Sequence, residues 1–449
     1  MSTLAPTAHV ESVFGDAFAR ARASLPGART KALNHAREDA FARFQRLGIP
    51  TVKVEEWKYT NLASLKDRSL ALAEPANAKI GQSDVAHFRM AGLCEHLLVF
   101  VNGRFRADLS DADLADKGVW PAGVRVMPLS TAESEYAAVA AALSEGSEHP
   151  AFALDALNGA LATDGAVIRI GKGAKLDRPL HLLMLSDGSA GARFVRTLIV
   201  AEPDSSATIV EGFGTLGKAS PDSWTNAVTE IHVGTGAHLR HYKLQAESHE
   251  ATHTSTGAVT VAANAQYDHF ILADGAALAR QELRVSLAGS GAKANVSGLT
   301  LARGRQHIEH RTDIRHDAAG ASSTQFFKAA VTGTAHSVFQ GKIEVATDAQ
   351  KTDARQQSRN LLLSNRAVAD SKPELIINAD DVMCSHGSAT GDLDAGQLFY
   401  LRSRGIGEAE ARALLVEAFA ADLIEAIAEE PVRGHFRNHL ARWLEVGIA

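Results

Sequence analysis

The chain has 449 residues, 45% of them apolar and 22% charged, with a formal net charge of −6. Such a length buries a large core and allows two or three domains. Acids and bases are interspersed, and no basic stripe is present to displace counterions from a phosphate backbone, which argues against nucleic-acid binding. Cys94 and Cys384 are the only two cysteines; they form no disulfide framework and point to a reducing compartment. The opening residues, MSTLAPTAHVESVFGDAFARA, lack the charged and then apolar pattern of a secretory leader. No apolar run approaches the roughly 20 residues of a membrane span. A cytoplasmic globular protein is expected.

Three regions follow one another: a mixed helical part with a hairpin over 1–160, a repetitive β part over 161–392, and a helical module over 393–449. In the first, Leu33, Ala36, Ala40, Phe41, Phe44 and Leu47 share one face at helical spacing, and Gly48 and Pro50 supply the stop. The runs LLVFV and RFRADL flank Asn102-Gly103, the favoured pair for a type I′ hairpin turn. Between about Leu109 and Gly159, Ala-rich helical pieces alternate with loops.

From Val167 to Ile377 helical spacing is absent, and short strand-like runs alternate with small-residue turns. The turns end at Ala174, Ala207, Ala237, Ala265, Ala292, Ala321, Ala349 and Asp381, at intervals between 27 and 33 residues. A near-constant period in this range marks a stacked array. Period-two alternation, as in Glu282-Leu283-Arg284-Val285-Ser286-Leu287, makes the stacked units β-rungs, and a β-solenoid is expected. A sandwich of irregular hairpins is the plainer alternative. A solenoid leaves strand edges that must be capped or paired, which favours a partner chain.

The final module opens with Asp394 as N-cap and Gln397 at the reciprocal capping-box position. Arg402 and Arg404 lie at the negative end of this helix, and Gly405 can take the left-handed conformation beyond it. A second helix is predicted over Glu408–Glu429, with Leu415, Phe419, Leu423 and Ile427 as its ladder. Pro431 is expected to stop it ahead of a last helix carrying Phe436, Leu440, Trp443 and Leu444.

Several motifs carry competing readings. His249-Glu250-x-x-His253 is a literal H-E-x-x-H, which on a helix would make a zinc-dependent hydrolase. Its surroundings read as strand, and Thr256 stands where the metzincin extension needs glycine. Gly212, Gly214 and Gly217 spell a dinucleotide fingerprint, but no helix pattern follows, so a loop is expected. Ten of the 19 histidines fall between His232 and His336, including His307, Glu309 and His310. They read either as a metal cluster or, more simply, as solvent-facing residues of a long sheet. Cys94 lies in an apolar run and reads as packing. Cys384 and His386 differ: in an extended segment their side chains share a face, offering thiolate and imidazole together. Two ligands do not close a metal site that needs roughly four, so the remainder must come from elsewhere or from a partner chain.

The run Asn378–Ile406, NADDVMCSHGSATGDLDAGQLFYLRSRGI, closely resembles the C-terminal signature of the SufB/SufD family of iron–sulfur cluster assembly scaffolds, in its SufD wording. Val54–Leu62, VEEWKYTNL, resembles a second signature of the same family, and the likeness covers essentially the whole chain. The resemblance implies a right-handed parallel β-helix between helical ends and a non-catalytic role. It implies pairing with a SufB-like paralogue and docking of a SufC-like ABC ATPase on Leu398, Phe399, Tyr400, Arg402 and Arg404. Cys384 and His386 would then be ligands of a transient iron–sulfur cluster at the shared interface, His386 the better candidate. A reduced flavin is linked with this type of complex, at no residue that can be named, and self-pairing in the partner's absence stays open. The chain carries no Walker A motif, so ATP hydrolysis would fall to a partner. A purely structural solenoid and the zinc hydrolase remain as alternatives.

Overall fold

A computed structural model describes residues 8–66, 70–76, 79–90, 95–111, 120–144 and 146–446. Cys94 lies outside the described residues. Seven helices matter here: α1 (Ala8–Ala21), α2 (Lys31–Leu47), α3 (Tyr136–Ser144), α4 (Ala153–Leu161), α5 (Ala395–Ser403), α6 (Glu408–Glu425) and α7 (Glu430–Glu445).

Between α4 and α5 the chain winds as a parallel β-solenoid. Consecutive strands alternate between two sheets, one of ten strands and one of nine. Pairing is in register, so each inward position stacks on its equivalent one turn later. Ile168, Ile199, Ile231, Val259, Val285, Ile314, Ile343 and Leu375 form one unbroken aliphatic ladder through the nine-stranded sheet. The small-residue turns have a backbone cause. Gly173, Gly236, Asn264, Gly291 and Gly320, each just before the turn's closing alanine, all take positive φ. Such corners penalise a Cβ, which selects glycine or asparagine at the same point of successive repeats.

The hairpin forms as expected, with Asn102 and Gly103 at φ 49° and 70°. Its first strand, His96–Val101, also pairs in parallel with Leu180–Ser186. The hairpin therefore closes one end of the ten-stranded sheet, and the antiparallel strand Val124–Pro128 closes the same end of the nine-stranded sheet. Helices cover both outer faces. Phe14, Phe44, Trp57, Phe194 and Trp224 bury the N-terminal layer against the nine-stranded sheet. Val416, Leu423, Phe436 and Trp443 of α6 and α7 pack on Tyr242, Phe270, Leu299 and Leu361 of the other. Arg303 lies 4.4 Å over the Trp443 ring, and Phe270 meets Phe436 edge-on at 5.0 Å.

Four expectations need correction. The second C-terminal helix ends at Glu425, and Pro431 sits in the first turn of α7, where a missing N–H costs nothing. Gly212 and Gly214 lie on the strand Ser206–Thr215 rather than in a loop, with only Gly217 beyond it. A Cβ on Gly212 would come within 2.8 Å of His181, and one on Gly214 within 2.3 Å of Phe88, so these glycines serve packing. The histidines are not mainly solvent-facing: His241, His253, His269, His310 and His316 are all buried. The zinc-hydrolase reading of His249, Glu250 and His253 fails, because no helix forms there. His249 and Glu250 are exposed in a turn, while His253 is wholly buried on a strand and meets the Glu247 carboxylate at 2.6 Å.

Candidate functional site

The solenoid's other end is built differently. Its last two strands, Val368–Ile377 and Met383–Gly391, are the terminal members of the nine- and ten-stranded sheets. Neither contains a fully buried residue, and the apolar side chains of Val368, Ile377 and Met383 are 46%, 42% and 65% exposed. An uncovered parallel edge presents unpaired backbone groups and is a template for another chain.

Cys384 and His386 lie on this edge. In register, Cys384 stands over Ala354 and His386 over Gln356, both buried inward positions of the preceding strand. The two candidate ligands therefore occupy interior positions of a turn with no further turn above it. That is why Cys384 is half-buried and His386 exposed. Cys384 packs beside Ile343, Val345, Ala349 and Ala354. Burial, assisted by the charge of Asp353, pushes its thiol above the usual cysteine range. This environment favours the protonated thiol over the thiolate.

The residues before the pair set this strand in place. The Asp381 carboxylate pairs with Lys351, and its N–H donates to the Gln350 side chain at 2.9 Å. The Lys351 N–H donates to the Asp381 carbonyl at 2.7 Å. These contacts tie the approach of the last strand to the turn beneath it. Among the described residues no three His, Cys, Asp or Glu side chains converge on one point, so Cys384 and His386 form an incomplete donor set.

Three residues after the edge strand, α5 begins. The Asp394 carboxylate accepts the Gln397 N–H at 2.8 Å. The helix ends in a Schellman arrangement, with Gly405 at φ 89° and the Ile406 and Gly405 N–H groups donating to Leu401 and Arg402 carbonyls. No residue of α5 is buried. Phe399 and Tyr400 are 74% and 57% exposed, and Arg402 and Arg404 project beside them, Arg404 at 5.1 Å from the Tyr400 ring. Leu398 is half-buried. A third feature lies on the outer face near the same end, where His307, His336 and Asp370 form a chain of contacts; sequence reasoning placed both histidines in one broad cluster but did not pair them or include Asp370. Its signal was available, since His336 sits one repeat after His307 and pairs with it in register.

Edge strands, the Cys384–His386 pair and an exposed helix together define a β-solenoid with one open end. Residues 8–182 match the model of the SufBD protein N-terminal region, and residues 184–419 match the SUF-system iron–sulfur cluster assembly SufBD core domain. An iron–sulfur cluster assembly SufBD family protein of Synechocystis is 30% identical over 425 residues, covering 93% of this chain and 92% of that one. The iron–sulfur cluster assembly protein SufD of Escherichia coli is 33% identical over 395 residues, covering 86% and 88%. SufD of Bacillus subtilis is 28% identical over 284 residues, covering 62% and 64%. The chain belongs to the SufB/SufD family of iron–sulfur cluster assembly proteins. No described helix is long and apolar enough to cross a membrane.

Proposed function

We propose that this chain is a non-catalytic half of an iron–sulfur cluster scaffold, completed by a SufB-like paralogue across the open end of the solenoid. One observation supports the reading above others: a soft-ligand pair lies on the inward face of an unpaired edge strand. When two solenoids meet end to end at like ends, their edge strands run antiparallel and can continue both sheets. The apolar residues Val368, Ile377 and Met383 would be covered by that contact. His386 and Cys384 would then face donors of the sister subunit, and a cluster held by few, exchangeable ligands is suited to transfer.

The cluster is cargo in this reading. The protein's part is to present the His386 imidazole and the Cys384 thiol, and to shut out solvent when the interface closes. The exposed face of α5, with Phe399, Tyr400, Arg402 and Arg404, is the docking surface for a SufC-like ABC ATPase. It lies three residues from the edge strand, so movement of a docked ATPase acts directly on the interface. Co-expression with SufB- and SufC-like partners, followed by iron and sulfide analysis, tests the assignment. His386→Ala should leave the complex assembled and remove most of its cluster; unchanged cluster content overturns the ligand role.

A further inference from the structure

On the outer face of the nine-stranded sheet, His307 and His336 stack in register on adjacent strands. Their Nδ1 atoms are 3.3 Å apart. Each ring is held from behind. His336 Nε2 lies 2.8 Å from the Asp370 carboxylate, which can only accept, so Nε2 carries the proton. His307 Nε2 lies 2.7 Å from the Thr60 hydroxyl. That hydroxyl's one hydrogen goes to the Glu309 carboxylate, which also receives the Gln340 amide at 2.7 Å and faces Arg280 at 3.4 Å. The Thr60 oxygen therefore accepts from His307, and Nε2 carries the proton there as well. With both Nε2 positions engaged, the two Nδ1 atoms face each other across 3.3 Å, a contact in which bare lone pairs repel unless a proton or a metal ion lies between them.

We infer that His307 and His336 form a binding site for a divalent first-row transition-metal ion through their Nδ1 atoms. The spacing fits: two imidazole nitrogens at about 2.0–2.1 Å from a tetrahedral ion lie roughly 3.3–3.4 Å apart. The surroundings fit too, because a carboxylate or hydroxyl on the far ring nitrogen is the usual orienting partner of a metal-bound histidine. The site is open to entry, with the His336 and Asp370 side chains 30% and 44% exposed. Among the described residues no third His, Cys, Asp or Glu joins the pair, so water or a donor from a docked chain fills the other positions. His336 lies on the strand next to the open edge and Asp370 on the edge strand itself, within reach of a chain bound there. The ion would exchange readily and would be distinct from cargo at Cys384 and His386.

Cobalt(II) is the probe, titrated into the purified full chain with visible spectroscopy and equilibrium dialysis. One ion per chain is expected at this site, and it should persist in the Cys384→Ala/His386→Ala variant. It should disappear in His307→Ala/His336→Ala. Asp370→Asn, at a half-exposed position that should not disturb folding, should weaken binding on the order of 10–100-fold. Equal cobalt uptake by the wild type and the His307→Ala/His336→Ala variant would overturn the assignment and leave a shared proton as the whole content of the contact. Binding unaffected by Asp370→Asn would also count against it.

Discussion

Ala354 and Cys384 are in-register neighbours on the last two strands of the ten-stranded sheet, the first fully buried and the second half exposed. They hold the same inward position and differ only in what lies above them. The donor pair is therefore a cross-section of the solenoid's interior laid open at its final turn.

If that end is an interface, charges placed on it should separate partners without unfolding the chain. Ile377→Lys and Met383→Glu alter exposed side chains, so stability of the isolated chain should change by no more than about 0.5 kcal/mol. Recovery of a co-expressed SufB-like partner should fall at least tenfold, equivalent to about 1.4 kcal/mol of binding. Pull-down beside urea denaturation checks both; intact partner recovery counts against edge pairing.

The raised pKa of Cys384 has a kinetic consequence. Alkylation proceeds through the thiolate, so at pH 7.5 Cys384 should react with iodoacetamide several-fold more slowly than a free cysteine. Peptide mapping distinguishes it from Cys94. The rate should rise with pH through and beyond the ordinary thiol range. A rate equal to free cysteine at pH 7.5 would show that the packing around Ala354 and Val345 does not shield the thiol.

The buried histidines set the acid limit of the fold. Burial holds His181 and His310 at about 3 and His435 at about 4, whereas the unfolded chain titrates near 6.5. Below pH 6.5 the unfolded state binds more protons, so stability present above that pH is lost progressively, down to about 4 for His435 and about 3 for His181 and His310. Each such histidine adds a slope of up to about 1.4 kcal/mol per pH unit. Glu211 and Glu282 add nothing in the upper part of this window. Burial opposes their ionisation, but His241 and Lys243 around the first, and Arg280 and Arg311 around the second, outweigh it and hold both at about 2. Urea midpoints at pH 7.5, 6.0 and 5.0 should fall steadily in the wild type and less steeply in His310→Leu and His435→Leu. Parallel slopes would remove the histidines as the cause.

The solenoid was legible in the sequence because two physical demands recur with it. A left-handed corner before each closing alanine selects Gly173, Gly236, Asn264, Gly291 and Gly320, and stacking selects aliphatic residues such as Ile199, Ile231 and Ile314 at matching inward positions. The edge strand carrying Cys384 and His386 was legible from its wording, which composition alone could not supply. Histidine placement was not. Strand alternation separates two faces but does not say which is wet, and here helices cover the outer faces while the interior itself accepts polar groups. His310 thus lies inside, while its near neighbours His307 and Glu309 point outward.

The two ends of the solenoid set a limit on growth. At the N-terminal end the two sheets finish in short antiparallel strands, Arg104–Phe105 and Val124–Pro128, while the C-terminal end offers two long parallel strands at once. In the proposed pairing, chains that join through this end would use both of its edge strands in a single union. A protein paired in that way would dimerise and stop, and its long exposed β-edge would be tolerated without seeding a fibre.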